Sequence, residues 1–290
     1  MITQEQIRRA RAIGKGQPFF FQKSPAISFS AGQAYHTFQT AGGIPSAGAY
    51  GALLAPIQFI GAKAAPSHNG LILFDDAIAP EENFLTFLKI INASTNGSGM
   101  LHIIDMLVEY GGFTGGSVIA QPTGVAVGGN NLPRYTDGEG VYIMPDVTAA
   151  FAAAVRTLTV SYTDQNGNAG VTPSVNTIAS CPQSKILHTP APFLPLAALD
   201  RGVKSIQSLT FGAPPGAGTV ALLLVKLLAS IPIVSGSFLG EGDFVNLQPM
   251  LPKLEDDACI SFLFMPSTTN TPVLSGTGEA LALDPDDLDA

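Results

Sequence analysis

Hydrophobic and polar residues alternate in short runs along most of the chain, and turn-forming residues close each run. The clearest run is VRTLTVSYT (155–163), in which Leu158, Val160 and Tyr162 alternate with threonine, serine and arginine. A period of two is typical of a β-strand with one buried face and one outward face. Similar runs predict further strands at 26–32, 50–62, 70–76, 100–110, 140–147, 203–211, 218–228 and 258–266. This spacing predicts a mainly β fold with a β-sandwich or jelly-roll-like architecture.

Three segments depart from simple alternation. The run VALLLV (220–225) is apolar at every position, which predicts a strand buried between sheets or against a partner subunit. The run PEENFLTFLKI (80–90) is a helix candidate with a proline in its first turn, although a strand also fits. The proline-dense stretch 189–202 disfavours a helix, and we interpret it as a crossing between a first β-rich lobe (25–188) and a second (203–283).

The two ends carry opposite charge. Residues 1–24 contain five basic residues and predict a short helix, opened by a capping box at Thr3 and followed by the extended segment QPFFFQK. Residues 284–290 are acidic and predict an irregular tail. Solvated termini are one interpretation, and arms that contact neighbouring subunits are the other. Under the second, the contact residues are Arg8, Arg9, Arg11, Phe19, Phe20, Phe21, Asp286 and Asp287.

Composition narrows the class of protein. Charged residues make up only 12% of the chain, about half the usual fraction, which favours a surface partly covered by other subunits. The net charge of −8 argues against nucleic-acid binding, which needs a basic face. The most apolar stretch, 220–234, contains Lys226 and Pro232 and is too short for a membrane helix. We see no export signal and expect synthesis in the cytosol, with Cys181 and Cys259 as buried thiols.

Candidate chemistry is sparse. The four histidines lie at least 32 positions apart, and no nucleophile or phosphate-loop motif is complete. Asp164, Asn166 and Asn168 begin a calcium-loop pattern that then lacks its glycine and its final glutamate, so we interpret this stretch as a hairpin turn. The hairpin tip is expected to touch the next subunit or to project into solvent.

The most enzyme-like string is LPRYTDGEGVYI (132–143), whose polar residues could line a sugar site. The alternative is a charged loop that leads into a strand, with a turn at Asp137-Gly138. The four polar residues concerned are Arg134, Tyr135, Asp137 and Glu139. We favour the loop, and we expect no catalytic residues, no cofactor and no metal.

The strings LPRYTDGEGV, VSYTDQNGNAG and RGVKSIQSLTF give the region from about 85 to 285 a resemblance to structural virion proteins of tailed bacteriophages. The resemblance implies a capsid decoration, cement or minor structural protein without catalytic residues, made in the host cytoplasm and located in the virion. Its partners would be the major capsid protein or other virion proteins, together with copies of itself in a homo-oligomer such as a trimer. A tail, collar or baseplate component and a carbohydrate- or receptor-binding module remain as alternatives.

Overall fold

A computed structural model describes residues 4–24, 28–40, 43–61, 69–92, 98–151, 155–188, 191–233, 240–244, 251–269, 271 and 273–284. These residues form helix α1 (Gln4–Ala12) and three antiparallel sheets, with strands numbered along the chain. The predicted mainly β fold with a short N-terminal helix is therefore confirmed. Within the described ranges, no helix has the length and apolar character needed to cross a membrane.

The first sheet joins the two ends of the chain. Strand β1 runs antiparallel to the last strand, β18, with Phe21 opposite Gly276, and the strand order is β15-β6-β18-β1-β3 with β16 also paired to β6. Its strands are β1 (Gly16–Lys23), β3 (Gly43–Ile44), β6 (Glu82–Asn92), β15 (Gly240–Asp243), β16 (Lys253–Leu254) and β18 (Leu274–Leu283).

The central sheet is built on two long strands that pair with each other, β7 and β14. Its order is β2-β17-β7-β14-β9, with β4 also paired to β7 and β5 to β17. Its strands are β2 (Tyr35–His36), β4 (Pro56–Gln58), β5 (Ile72–Leu73), β7 (Gly99–Thr114), β9 (Val141–Ala149), β14 (Thr219–Ile233) and β17 (Cys259–Pro266).

The third sheet contains the hairpin at residues 157–171. Its order is β11-β10-β13-β8, with β12 also paired to β10. On β10 the residues Leu158, Val160 and Tyr162 are buried, and Thr159 and Ser161 between them are half-buried, as the alternation predicts. The strands are β8 (Gln121–Pro122), β10 (Thr157–Asp164), β11 (Ala169–Val171), β12 (Val175–Asn176) and β13 (Val203–Phe211).

The long strands connect two apolar cores. The first part of β14, including Leu222 and Leu224, packs with β10 and β13 of the third sheet. The last part, including Ile231 and Ile233, packs with β1, β6 and β18 of the first sheet. The alternate residue Leu223 and its neighbours face a further cluster that covers the central sheet. The run 220–225 is therefore buried on both faces within the chain itself.

The two cores do not correspond to the predicted lobes 25–188 and 203–283. In every sheet, strands from before residue 189 pair with strands from after residue 202, for example β10 with β13 and β6 with β18. The segment 189–202 therefore lies between strands of one interleaved fold, not between two sequence-consecutive lobes.

The helix candidate at 80–90 is a strand, β6. Both faces of the strand are covered at this point, so its apolar residues are consecutive. The sequence therefore lacks the period of two that identifies a strand. Leu85 faces the core shared with the central sheet, and the adjacent Phe84 packs against Ile7 and Ala10 of helix α1.

Candidate functional site

The N-terminal residues pack on their own chain. Helix α1 lies on the first sheet through Ile7 and Ala10, and Arg11 forms an ion pair with Glu279 of β18 at 2.6 Å. Arg8 and Arg9 pair with Glu5 on the exposed side of the helix. Residues 4–24 thus form an integral part of the fold, which differs from the projecting arm that the sequence predicts.

The three phenylalanines point to opposite sides of strand β1. Phe21 is fully buried and stacks on Phe262 with 4.2 Å between ring centroids, and Phe19 packs edge-on against Phe74. Gly276 and Gly278 make room for these two rings, because a Cβ at either glycine would lie within 2.5 Å of the facing ring. Phe20 points outward and is 51% exposed.

Helix α1 covers only part of the outward side of the first sheet, and apolar side chains are exposed on the rest of that side. Phe20, Ile44 and Ile91 are 51%, 57% and 42% exposed. The register places Gln22 opposite Ile44 on one side and Ser275 on the other, and Ser275 opposite Ile91, so one row crosses four strands. We call this surface the open face; its residues are Pro18, Phe20, Gln22, Ile44, Phe87, Lys89, Ile91, Ser275, Thr277 and Glu279.

The hairpin tip is divided between a buried and an exposed part. Asn166 and Asn168 are exposed, whereas Asp164 and Gln165 are buried. The Asp164 carboxylate accepts the N–H groups of Asn166 and Asn168 at 2.8 and 2.7 Å. Burial disfavours its charge, but these N–H donors outweigh burial and lower the pKa of Asp164. The pattern that resembles a calcium loop is thus a turn closed by its own hydrogen bonds. Among the described residues, no cluster of metal-ligating side chains occurs.

Buried side chains of the hairpin form hydrogen bonds with a second turn, residues 197–202, which we call the Leu199 turn. Tyr162 donates its hydroxyl to Asp200 at 2.6 Å and accepts the N–H of Ala197 at 2.7 Å. The N–H groups of Arg201 and Gly202 donate to Gln165 Oε1 at 3.0 and 3.2 Å. At the tip, Leu199 has a φ of +77° and is 94% exposed.

A concave pocket of about 430 Å³ lies beside the Leu199 turn. Tyr142 and Phe193 stack nearly parallel on one side, with 5.0 Å between ring centroids. We call it the Tyr142 pocket; it is lined by Tyr142, Phe193, Leu194, Pro195, Leu196, Asp200 and Arg201.

The string 132–143 contributes Tyr142 to this pocket, but its four enzyme-like polar residues do not line it. Arg134 is buried and binds Asp105, and it also donates to the carbonyl oxygens of Phe59 and Met106 at 2.8 and 2.7 Å. Asp137 accepts the N–H of Glu139 in the predicted turn, while Tyr135 is largely buried against Lys226. The polar residues of this string therefore serve separate structural roles.

A buried polar network joins residues that no sequence spacing connects. His36 Nδ1 lies 2.7 Å from Asp146 Oδ2, and His36 Nε2 lies 2.9 Å from Ser261 Oγ. This order of atoms resembles a serine-hydrolase triad. All three side chains are buried, and Tyr50 donates a further hydrogen bond to Asp146. With its serine buried, the network connects β2, β9 and β17, and we assign it a structural role.

Glu109 borders this network and has a raised pKa. Burial and the charge of Asp146 raise its pKa from 4.5 to about 7, against the opposing effect of a hydrogen bond from the N–H of Gly51. Because the folded chain holds this proton more tightly, stability should fall by about 3 kcal/mol as pH rises from 4.5 to 7. Glu109→Gln keeps an acceptor for Gly51 and should remove that part of the pH dependence. Urea unfolding at pH 5, 6, 7 and 8 measures it, and an unchanged pH profile would contradict the prediction.

Comparison with protein-family models, with curated proteins and with solved structures finds no match for this chain. Interpretation of its function therefore depends on the open face and on the Leu199 turn with its pocket.

Proposed function

We propose that this chain is a structural protein of a virion that binds an assembled protein shell, as a decoration or cement protein does. The observation that carries the proposal is the open face, where Phe20, Ile44 and Ile91 are exposed across four adjacent strands of a sheet that is packed on its other side. Gln22 and Ser275 lie between Ile44 and Ile91, so the surface combines exposed apolar side chains with uncharged polar ones. A rigid antiparallel sheet with such a surface is suited to lie flat against another protein.

Charge supports the same function. The chain has few charged residues, and the open face carries only two, Lys89 and Glu279. Glu279 is already paired with Arg11, so little unpaired charge would be desolvated on contact. The outward positions of the third sheet are different, since Thr157, Thr159 and Ser161 present hydroxyl groups to solvent. The first sheet is therefore the side expected to meet the shell, with the major capsid protein as the partner.

Substitutions on the open face test the proposal. Phe20→Asp combined with Ile44→Asp should reduce the amount of chain in purified particles at least tenfold, because two charges would be buried without partners. Leu53→Asp combined with Ile119→Asp is the matched control, because it adds the same two charges at exposed apolar positions outside the first sheet. Mass spectrometry of gradient-purified particles gives the copy number, and thermal unfolding shows that the variants fold.

Particles that lack the wild-type chain would refute a virion role. Particles that retain the double variant at the wild-type copy number would show that the open face is not the contact. Deletion of residues 1–24 is unsuitable for this purpose, since it would remove β1 and the buried Phe21.

A further inference from the structure

We infer that the Leu199 turn and the Tyr142 pocket form a two-fold interface, in which Leu199 of each copy inserts into the Tyr142 pocket of a second copy. This contact uses a different surface from the open face and does not depend on shell binding.

The backbone at Leu199 indicates that the apolar side chain itself is needed. A φ of +77° lies in the left-handed region, which glycine and asparagine adopt readily and leucine adopts only with strain. A turn without a further role would be more stable with glycine at this position. Here the strained residue instead holds an isobutyl group almost completely in solvent. Strain of this kind is characteristic of sites that bind something.

The turn is held rigidly before any partner arrives. Tyr162 and Gln165, both from the hairpin, form hydrogen bonds with four residues of the turn, Ala197, Asp200, Arg201 and Gly202. A projecting side chain on a fixed turn loses little conformational entropy on binding, so more of the contact energy remains for affinity.

The pocket matches the projecting residue in chemistry and in position. Its walls are mainly aromatic and aliphatic, and its volume of about 430 Å³ exceeds that of a leucine side chain. Asp200 and Arg201 line the pocket and follow Leu199 directly in sequence. Because the projecting group and the pocket are adjacent on one surface, a two-fold axis between two copies can fill both pockets at once.

Charge around the pocket favours a second copy as the occupant. Two copies of a chain with a net charge of −8 repel each other in general. At the Leu199 turn, however, Arg201 forms an exposed ion pair with Glu139 of the same chain at 3.4 Å, so both signs of charge lie beside the pocket. Across a two-fold axis, Arg201 of each copy can pair with Glu139 of the other copy, so the same two residues serve both contacts.

Light scattering on the full chain tests the interface. The wild type should have the mass of two 30.0 kDa chains, and Leu199→Gly should have the mass of one. Leu199→Gly should also unfold at the same or a higher temperature at monomer concentrations, because it relieves backbone strain. Leu53→Ala, another exposed leucine outside the pocket, is the control and should remain a dimer.

Charge reversal tests the symmetry. Glu139→Arg and Arg201→Glu should each weaken self-association at least tenfold, because like charges meet at both contacts of a homodimer. A mixture of the two variants should restore the dimer, since each copy then supplies the charge that the other lacks.

Several results would overturn the inference. A monomeric wild type, a trimer, or a dimer that Leu199→Gly leaves intact would each exclude this interface. A dimer abolished by Phe20→Asp with Ile44→Asp and retained by Leu199→Gly would identify the open face as the self-contact. Particle binding that survives Leu199→Gly supports the proposed function independently, so the two proposals can fail separately.

Discussion

Replacing Phe21 with alanine should lower the free energy of unfolding by about 3–5 kcal/mol, whereas Phe20→Ala should change it by less than about 0.5 kcal/mol. The two residues are adjacent in sequence and lie on opposite faces of β1. Phe21 is fully buried between the first and central sheets, and its ring lies in the space left by Gly276. Its loss leaves a cavity that neighbouring strands cannot easily fill.

Urea unfolding followed by circular dichroism, with both variants in parallel, measures this difference. Phe20→Ala is a matched control because it removes the same ring from the same strand. Equal stabilities for Phe21→Ala and the wild type would mean that residues 16–23 do not form a strand of the core. The terminal-arm interpretation would then regain support.

Local patterns predict many of the strands but not their partners. The period of two identifies β10, and the apolar run 203–211 coincides with β13, because burial on one face leaves a direct record in the sequence. Three predicted strands, at 26–32, 50–62 and 70–76, contain at most short pairings at Phe29, Pro56–Gln58 and Ile72–Leu73. Residues 25–27 and 62 lie outside the described residues. Composition alone cannot distinguish a paired strand from an apolar segment that covers a sheet.

The N-terminus shows the same limit. Its charge and its three phenylalanines are visible in the sequence, but the residues they meet, Glu279, Gly276 and Phe262, lie near the other end of the chain. The predicted contacts at Asp286 and Asp287 lie outside the described residues. Long-range register is decided by packing, which a single sequence does not encode in any local pattern.

The candidate surfaces were also beyond local sequence patterns. Phe20, Ile44 and Ile91 come to lie on one face only through strand pairing. Leu199 carries no sequence signal for a positive φ, since asparagine or glycine is the usual indicator. The turn-forming residues of the hairpin can be recognised in the sequence. The hydrogen bonds between Gln165 and the Leu199 turn cannot.

Arg134→Ala should destabilise the chain by about 3–5 kcal/mol, because it leaves the buried carboxylate of Asp105 without its cation. Arg134 donates Nε–H and Nη2–H to the two carboxylate oxygens of Asp105, and Asp105 also accepts the N–H of Cys259 at 2.9 Å. The ion pair thus holds the 132–143 string, β7 and β17 together. Arg201→Ala is the control: its ion pair is exposed, and at concentrations where the chain is monomeric its loss should cost less than about 1 kcal/mol.

The double variant Arg134→Met with Asp105→Leu separates the two contributions to this effect. If the cost of Arg134→Ala comes from an unpaired buried charge, removal of both charges should recover most of the lost stability. A double variant as unstable as Arg134→Ala would instead assign the effect to hydrogen bonds: those that Arg134 donates to Phe59 and Met106, and the one that Asp105 accepts from Cys259. In either case the most enzyme-like string of the sequence acts by connecting strands of the core. A variant Arg134→Ala with wild-type stability would contradict this assignment, and would again make Arg134 a candidate for binding a ligand.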